Sequence, residues 1–252
     1  MEICLRAYQN VGTNSLKTLI KFITCQSELG HDILERKIFM KQQKEIILDQ
    51  IPVGPMANFQ YFIGDQQTKK VALVDPGWDI DEMLTIADKK NYIIVAVVCT
   101  HAHYDHIKEL EYLLGLRDVP VSISKYESGV SCKNLKKCED GDKIKIGNIE
   151  LTCIHTPGHS AGDMCFLCGD ILLTGDTLFI DGCGRCDLAG GNPKKMYDSL
   201  FNKIAKLPDA TIIYPGHDYG PTPSATLASQ KQTNPYLQSE SLEDFLHYRM
   251  GI

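Results

Sequence analysis

Residues 101–106 of the chain read His-Ala-His-Tyr-Asp-His and so place three imidazoles and one carboxylate within six positions. The chain has only eight histidines among 252 residues, and core packing gives no reason to gather three of them in one short segment. Neutral imidazole and carboxylate are ligands for zinc, iron and manganese. The spacing therefore predicts a metal site at this segment.

A strongly apolar segment, YIIVAVVCTH (92–101), directly precedes these side chains and predicts a buried strand that ends at His101. Other candidate ligands follow three more predicted strands. Strand ends suit ligands, because a rigid sheet holds the side chains while the loops shape a pocket. One metal takes about three or four protein ligands, so a larger set predicts two ions with a shared carboxylate. The candidates are His101, His103, Asp105, His106, His159, Asp176 and His217.

The elements that position these residues alternate between strands and helices from Met40 onward. Apolar periodicity and turn residues predict strands, two hairpins that turn at Gly147-Asn148 and Gly169-Asp170, and helices. Mixed alternation of this kind predicts an α/β sandwich with the sheets inside and the helices outside. The strands are predicted in 58–65, 69–77, 92–101 and 210–217, the hairpins in 142–159 and 162–179, and the helices in 79–91, 106–116 and 192–208.

Composition narrows the classes of function. With 252 residues and 43% hydrophobic side chains, the chain can bury one sizeable core. A net charge of -6 without a basic block argues against a nucleic-acid surface, and no apolar run approaches the ~20 residues that span a bilayer. Ten cysteines are scattered through strand-like segments, which predicts reduced thiols and a cytoplasmic location.

Residues 1–39 lack the regular pattern that follows. Their basic residues, Arg6, Lys17 and Lys21, are a weak match to an organellar transit peptide. We therefore predict an N-terminal extension of unassigned role over 1–39 and a catalytic domain over 40–252.

Four segments carry a resemblance to a known family: THAHYDH (100–106), TPGHS (156–160), TGDTLF (174–179) and YPGHDYG (214–220). Together they resemble the metallo-β-lactamase fold superfamily, and within it the glyoxalase II and persulfide dioxygenase branch. The resemblance covers roughly residues 45–237. It implies a four-layer αββα sandwich with the metal site at one edge of the two sheets.

The resemblance also implies a role for each candidate ligand. His101, His103 and His159 would hold one ion, Asp105, His106 and His217 would hold a second, and Asp176 would bridge both. His155 does not fall on a ligand position of the family. Asp75, in LVDPG, matches a position that supports the ligand histidines through hydrogen bonds, and such bonds fix the tautomer and orientation of an imidazole.

Two divalent ions beside one water lower its pKa toward ~7 and so supply a hydroxide at neutral pH. That hydroxide attacks a carbonyl or similar electrophile, and the ions stabilise the developing oxyanion. The candidate catalytic residues are the two carboxylates among the ligands, Asp105 and Asp176. The ions expected are two divalent cations, with zinc favoured and iron or manganese as alternatives.

Two other features could bind ligands. The pairs CFLC (165–168) and CGRC (183–186) resemble a four-cysteine zinc site, but Cys165 and Cys168 are three apart in a predicted strand and would face opposite sides. We interpret these cysteines as small buried hydrophobes. In GCGRCD (182–187) the glycines indicate close backbone approach, and Arg185 has a guanidinium fork suited to a carboxylate.

In the families that this chain resembles, the GCGRCD loop lies beside the thiol-substrate pocket. Arg185 is therefore predicted to contact substrate, with a surface salt bridge as the alternative. The favoured function is hydrolysis of a thioester such as an S-acyl-glutathione. The alternatives are a persulfide dioxygenase, in which His101 with His103 or His159, and Asp176, would hold one iron, and a non-catalytic metal-binding protein. The expected partner is a small thiol-derived molecule, without nucleic acid or membrane, and the oligomeric state stays open.

Overall fold

Two six-stranded mixed sheets face each other in the computed structural model, which describes residues 46–251. The predicted extension over 1–39 and the predicted domain start at Met40 lie outside these residues. The first sheet has the strand order β1-β2-β3-β4-β5-β6, and the strands are β1 (Ile46–Val53), β2 (Asn58–Asp65), β3 (Lys70–Val74), β4 (Ile93–Val98), β5 (Val121–Ser124) and β6 (Leu135–Cys138). Its first three strands are antiparallel, and β3 to β6 run parallel.

The second sheet has the order β14-β13-β10-β9-β8-β7. Only β10 and β13 pair in parallel within it. Its strands are β7 (Lys143–Ile146), β8 (Ile149–His155), β9 (Met164–Cys168), β10 (Ile171–Gly175), β13 (Ile212–Pro215) and β14 (Ala225–Thr226), and a small separate hairpin consists of β11 (Leu178–Phe179) and β12 (Gly182–Cys183).

Helices cover the outer faces of both sheets. They are α1 (Ile80–Lys89), α2 (Tyr104–Ile107), α3 (Leu110–Leu116), α4 (Pro193–Asp198), α5 (Leu227–Thr233) and α6 (Leu242–Met250). A π-helical turn (Ser199–Lys203) and a 3-10 turn (Ile204–Lys206) continue α4. None of the helices within residues 46–251 has the length and apolar character needed to cross a membrane.

Three apolar clusters hold these layers together. One lies between the sheets and includes Ile63 and Phe166. The second joins the first sheet to α1 and α3 through Met83 and Leu113, and the third joins the second sheet to the later helices, with Phe245 of α6 fully buried. The predicted four-layer αββα sandwich is therefore confirmed.

Local sequence explains several boundaries. The predicted hairpins turn at Gly147 and Gly169, where φ is +60° and +62°, a conformation that glycine adopts without a Cβ penalty. Helix α4 begins as predicted after Asn192, whose side chain accepts a hydrogen bond from Lys195 N, with Pro193 in its first turn.

The predicted helix over 106–116 is wrong in one respect, because it is two helices with a break at residues 108–109. At the break Glu109 N donates to Pro76 O, and its carboxylate accepts from Ile80 N at the start of α1. Glu109 therefore satisfies one of the free backbone N–H groups at the start of α1. Asp79, the residue before α1, has a left-handed φ of 53°, and its side chain makes no cap bond to that helix. Its carboxylate accepts from Gly54 N instead.

The cysteine interpretation agrees with the packing. Cys165 belongs to the outer cluster of the second sheet, whereas Cys168 belongs to the cluster between the sheets, so the two thiols lie on opposite faces of β9. Cys183 and Cys186 pack with Cys165. The four thiols cannot converge on one ion.

Candidate metal centre

The predicted ligands and Asp75 follow five strands that end at the same edge of the sandwich. Asp75 follows β3, His101 lies in the segment after β4, His159 follows β8, Asp176 directly follows β10, and His217 follows β13. The two sheets are hydrogen bonded to each other at this edge, since Phe59 N donates to Gly216 O and Met164 N donates to Thr100 O, at 2.8 and 2.9 Å. Backbone hydrogen bonds therefore fix the strand ends relative to one another independently of the side chains.

Two sets of three residues bring their candidate ligand atoms within 4.8 Å of one another. The first set contains His101, His103 and His159, with His103 Nδ1 only 2.7 Å from His159 Nε2. The second set contains Asp105, His106 and His217; here His217 Nε2 lies 3.2 Å from His106 Nε2 and 3.3 Å from Asp105 Oδ2. Each set groups the same three residues that the resemblance assigned to one ion.

Asp176 lies between the two sets. Its Oδ2 is 3.3 Å from His159 Nε2 and 3.4 Å from His217 Nε2, and its Oδ1 is 3.3 Å from His106 Nε2. Ligands held ~2.0–2.2 Å from a tetrahedral ion are separated from one another by about 3.3–3.6 Å. The separations between Asp176 and the histidines match the edges of such a coordination polyhedron, whereas the 2.7 Å between His103 Nδ1 and His159 Nε2 is shorter than an edge.

The outward nitrogen of four histidines faces a fixed partner. His159 Nδ1 faces the Arg185 carbonyl at 2.8 Å, His217 Nδ1 faces the Met56 carbonyl at 3.0 Å, and His106 Nδ1 faces the Asp75 carboxylate at 3.0 Å. A ring that donates from Nδ1 keeps a lone pair on Nε2, which is then free to bind a metal. His101 follows the same rule, with its Nδ1 3.0 Å from Thr100 Oγ1.

Two buried polar atoms of the cluster make no hydrogen bond of good geometry, namely His101 Nε2 and Asp176 Oδ1, although the latter lies 3.3 Å from His106 Nε2. Burial of a polar group without a partner costs about 1–3 kcal/mol, and one explanation for such a group is an ion. Both residues belong to one further group that could hold a metal, which His106 completes. The residues present therefore fit a bound cation.

Burial dominates the pKa values of His101 and His159 and lowers both, which favours the neutral imidazole that binds metals. His217 behaves differently. Burial alone would lower its pKa, but hydrogen bonds to Asp105 and Asp176 raise it to about 9.

Burial and neighbouring charges also act in opposite directions on the pKa values of His106 and Asp176. Burial of His106 would lower its pKa, but the charges of Asp176 and Asp75 raise it well above the usual value. Burial would raise the pKa of Asp176, yet nearby His106 and His217 hold it well below its usual range. These shifts favour an ionised Asp176 beside protonated His106 and His217, so binding of a cation here is expected to release protons.

Asp75 contacts the cluster as the resemblance implied. Its Oδ2 faces His106 and also accepts from Thr100 Oγ1 at 2.7 Å, while its Oδ1 accepts from Thr100 N at 2.7 Å. Thr100 in turn faces His101, so one carboxylate orients two histidines, one of them through a threonine. The sequence reading missed Thr100, although its place directly before the first histidine was the available signal.

Glycines make room for the ligands. A Cβ on Gly216 would lie 2.6 Å from Asp176 Oδ1, and one on Gly184 would lie 2.0 Å from the Asp176 carbonyl oxygen. The predicted close backbone approach is therefore confirmed at Gly184. It is wrong at Gly182, where a Cβ would meet its nearest neighbour, Phe179, at an ordinary 3.5 Å.

The sequence model of the metallo-beta-lactamase superfamily matches residues 53–217, which include every predicted ligand. The chain belongs to the metallo-β-lactamase superfamily. It is a metal-dependent enzyme of that superfamily, whose members include zinc hydrolases and a persulfide dioxygenase.

Three similar proteins illustrate the range within this metallo-β-lactamase superfamily. A Bacillus subtilis protein described as a probable polyketide biosynthesis zinc-dependent hydrolase is 34% identical over 195 residues, or 76% of this chain and 87% of its own. The human mitochondrial persulfide dioxygenase ETHE1 is 33% identical over 210 residues, covering 80% of this chain and 79% of its own. The crystal structure of ETHE1 from Myxococcus xanthus superposes with a TM-score of 0.75 at 33% identity, over 81% and 89% of the two chains.

Asn58 supports this metallo-β-lactamase centre, although the sequence analysis predicts no role for it. It is 2% exposed, and its Nδ2 donates to Asp105 Oδ2 at 2.9 Å. Its own Oδ1 accepts from the indole of Trp78 at 3.0 Å. Trp78 is the one tryptophan of the chain, so a change at Asp105 is coupled through a single amide to the fluorophore.

We predict that Asn58→Ala weakens metal binding by the second set by about 10-fold, the lower end of what loss of a residue that orients a ligand costs. The measurement is a zinc titration followed by tryptophan emission, which should respond to zinc less in the variant. Asn134→Ala is the matched control, because Asn134 also donates to an aspartate, Asp118, but at an exposed site. Equal zinc affinities in the two variants would show that Asn58 does not support the site.

Arg185 differs from its predicted role. Its guanidinium is exposed and makes two hydrogen bonds to the Asp187 carboxylate, at 3.0 and 2.9 Å, which is the salt-bridge alternative. Its backbone carbonyl, not its side chain, reaches the cluster at His159. Substrate contact by the guanidinium stays a prediction, and it requires the Asp187 pair to open.

If Arg185 recognises an anionic substrate, Arg185→Ala should raise KM by about two- to fivefold, the scale of an exposed ion pair, and leave kcat and metal content unchanged. Asp187→Asn is the informative counterpart, because it removes the competing carboxylate and should leave KM equal or lower. Steady-state kinetics of both variants check this prediction. An unchanged KM in Arg185→Ala would show that the Arg185–Asp187 pair is only a surface salt bridge.

Two further groups lie apart from the ligands. His155 ends β8, faces the Ala161 carbonyl at 3.1 Å and stacks on Tyr126, as expected for a residue that does not ligate. Residues 158–162 have the GxSxG spacing of serine hydrolases, a match that the sequence reading missed. However, Ser160 Oγ is within hydrogen-bond distance of the Glu127 and Asp163 carboxylates, and within residues 46–251 it has no histidine base.

Proposed function

We propose that the chain is a two-metal hydrolase that cleaves a thioester of a small thiol, of the glyoxalase II type. The observation that carries the proposal is the position of Asp176 between two separate sets of three ligands. One set is His101, His103 and His159, and the other is Asp105, His106 and His217. The separations of 3.3 and 3.4 Å from Asp176 to His159 and His217 suit one carboxylate that bridges two ions.

Two bound divalent ions would lower the pKa of a shared water and polarise the thioester carbonyl. The chain's own residues prepare the site for this chemistry. Asp176 supplies negative charge between the two positions, and Asn58 fixes the orientation of Asp105. The backbone carbonyls of Arg185 and Met56 hold His159 and His217 with Nε2 directed inward.

The thioester class is supported by the resemblance to glyoxalase II, and hydrolysis is supported by the similarity to a protein described as a probable zinc-dependent hydrolase. A covalent route through a cysteine has little support in the described residues. Cys183 and Cys186, the thiols on the loop beside the cluster, are buried, and burial raises the pKa of both, to about 11 for Cys186.

The similarity to the human persulfide dioxygenase favours one alternative. In that case a single iron would be held by His101, by His103 or His159, and by Asp176, the facial triad of non-haem iron enzymes. The second set would then have no direct part in the chemistry. The two functions therefore make opposite predictions for His217, which belongs only to the second set.

The test combines metal analysis with two assays on the wild type and on His217→Ala. For the hydrolase, the wild type binds two equivalents of metal and releases thiol from S-lactoylglutathione without consuming oxygen. His217→Ala then binds one equivalent and loses cleavage. One equivalent of iron in the wild type, with oxygen consumption on glutathione persulfide that survives His217→Ala, would establish the dioxygenase instead.

A further inference from the structure

The loop from Asp176 to Arg185 contacts the candidate metal centre at both ends. Asp176 begins the loop, and the Arg185 carbonyl near its end accepts from His159 Nδ1. Between these ends lies the hairpin β11–β12, and the ring of Phe179 in β11 is centred 5.8 Å from the ring of His217. The position of this loop therefore decides where two of the proposed ligands point.

The segment that follows β13 holds the hairpin from the outside. Asn234 is fully buried, and its Nδ2 donates to the carbonyls of Phe179 and Gly182 at 3.1 and 3.0 Å. Gln230 of α5 pairs with Asp181 in both directions, since Asp181 N donates to Gln230 Oε1 and Gln230 Nε2 donates to Asp181 Oδ1. The hairpin is thus tied to the helices that cover the second sheet.

A third set of contacts to this loop comes from α6 and lies closest to the proposed ligands. Arg249 Nε donates to the Gly184 carbonyl at 3.1 Å, and its guanidinium lies 5.8 Å from the centre of the Tyr236 ring. Cys186 Sγ approaches the same Gly184 carbonyl at 3.6 Å. Helix α6 itself is fixed independently, by the buried Phe245 and by a cap in which Ser241 Oγ accepts from Asp244 N.

The position of Gly184 affects the proposed ligands directly, because Gly184 is in close contact with them. A Cβ on Gly184 would lie 2.0 Å from the Asp176 carbonyl oxygen and 2.9 Å from His159 Cβ. The next residue, Arg185, supplies the carbonyl that faces His159. A shift of Gly184 must therefore move both the backbone of Asp176 and the hydrogen-bond acceptor of His159.

We propose that Arg249 is a positioning residue for the metal centre: by holding the Gly184 carbonyl, it fixes the loop that orients His159 and Asp176. This inference rests on the proposed ligand role of His159, but not on the chemistry of the substrate. It makes α6 part of the metal-binding apparatus although no α6 residue belongs to either ligand set.

The test uses Arg249→Met, which keeps a long apolar stem and removes the donors, and Arg249→Lys, which keeps one cationic donor. Arg117→Met is the matched control, because Arg117 also donates to a backbone carbonyl, that of Leu116, but at an exposed site on the first sheet's side. Zinc affinity is measured by competition with a chelating dye. We expect Arg249→Met to weaken binding about three- to tenfold, less than the ~10–100-fold of residues that contact a ligand directly. Arg249→Lys should recover part of the loss.

A spectroscopic measurement separates positioning from a general loss of stability. In zinc-loaded protein with ¹⁵N-labelled histidine, the Nδ1–H signal of His159 should shift or exchange faster in Arg249→Met. That of His217, which donates to the Met56 carbonyl, should not. Unchanged zinc affinity and an unchanged His159 signal in Arg249→Met, or equal changes in Arg117→Met, would overturn the inference.

One measurement requires no variant and so does not depend on the folding of Arg249→Met. Because coupling between two sites is reciprocal, zinc must stabilise the docking of α6 as much as that docking favours zinc. We expect amide hydrogen exchange in 242–250 to slow when zinc is added to the full chain. Equal exchange with and without zinc would contradict the proposal, whatever substrate the enzyme proves to hydrolyse.

Discussion

Replacing Asp176 by alanine is expected to abolish thioester cleavage and to lower the amount of bound metal. Among residues 46–251, Asp176 is the one carboxylate within 3.4 Å of histidines from both proposed ligand sets, so its loss would remove the ligand that the two sets are proposed to share. The fall in kcat/KM should exceed the ~10²–10³-fold cost of losing a single electrostatic stabiliser. Steady-state kinetics and metal analysis of the same preparations measure the two effects together.

Asp176→Asn tests what the negative charge of Asp176 contributes, because the substitution leaves the shape of the side chain nearly unchanged. The amide keeps the volume of the side chain but lacks the negative charge that offsets two dications, so we expect weaker metal binding in a folded protein. Asp209→Asn is the control, since Asp209 is also a paired carboxylate but lies exposed beside Lys231. Near-normal cleavage with full metal content in Asp176→Ala would rule out the bridging role proposed for this residue.

The ligand positions could be predicted because each of them carries a local signal. An apolar strand followed by a histidine or aspartate is legible in the sequence, and the parallel pairing of β10 with β13 brings Asp176 and His217 to one edge. The same holds for Gly184, whose spacing indicated close approach. The sequence therefore indicated which residue type stands at each strand end, and the pairing of the strands brought those ends together.

Residues whose role depends on a distant partner could not be found in this way. Asn58 occupies an ordinary position at the start of β2, and its function arises only because residues 105 and 78 fold against it. The sequence pattern predicts a continuous helix through Glu109, but contacts with Pro76 and Ile80 break that helix. Tertiary contacts overrode the helical periodicity in that segment.

The edge strands of the first sheet were missed for a related reason. Both β1 and β6 lie at an edge and are only partly buried, and β6 carries two exposed lysines, Lys136 and Lys137. Charged residues protect an edge strand from pairing with other chains, and they also weaken the apolar alternation by which a strand is recognised.

The partner of the Arg185 side chain could not be predicted from the sequence. Its guanidinium suits an anionic partner, and in the structure the Asp187 carboxylate is already that partner.

Gly77→Ala is expected to destabilise the fold and to damage the second ligand set at once. Gly77 follows the Asp75-Pro76 pair, and a Cβ there would lie 1.8 Å from the Asp105 carbonyl oxygen and 3.2 Å from His106 Cα. These are backbone atoms, which cannot rotate away as the end of a side chain can. The segment that carries both ligands must therefore move, at a cost of about 1–3 kcal/mol or more.

Gly115→Ala is the matched control for that experiment. Gly115 lies in α3, and a Cβ there would meet nothing within 4 Å, so alanine should raise the free energy of unfolding by up to ~1 kcal/mol through its better helix propensity. Chemical denaturation of metal-free protein gives both stabilities, and zinc titration gives the stoichiometry. We expect Gly77→Ala to bind the second ion at least about 10-fold more weakly, the effect of a ligand held in the wrong orientation. If Gly77→Ala instead matches Gly115→Ala in stability and binds two equivalents with normal affinity, the close contact between Gly77 and Asp105 does not position the second set.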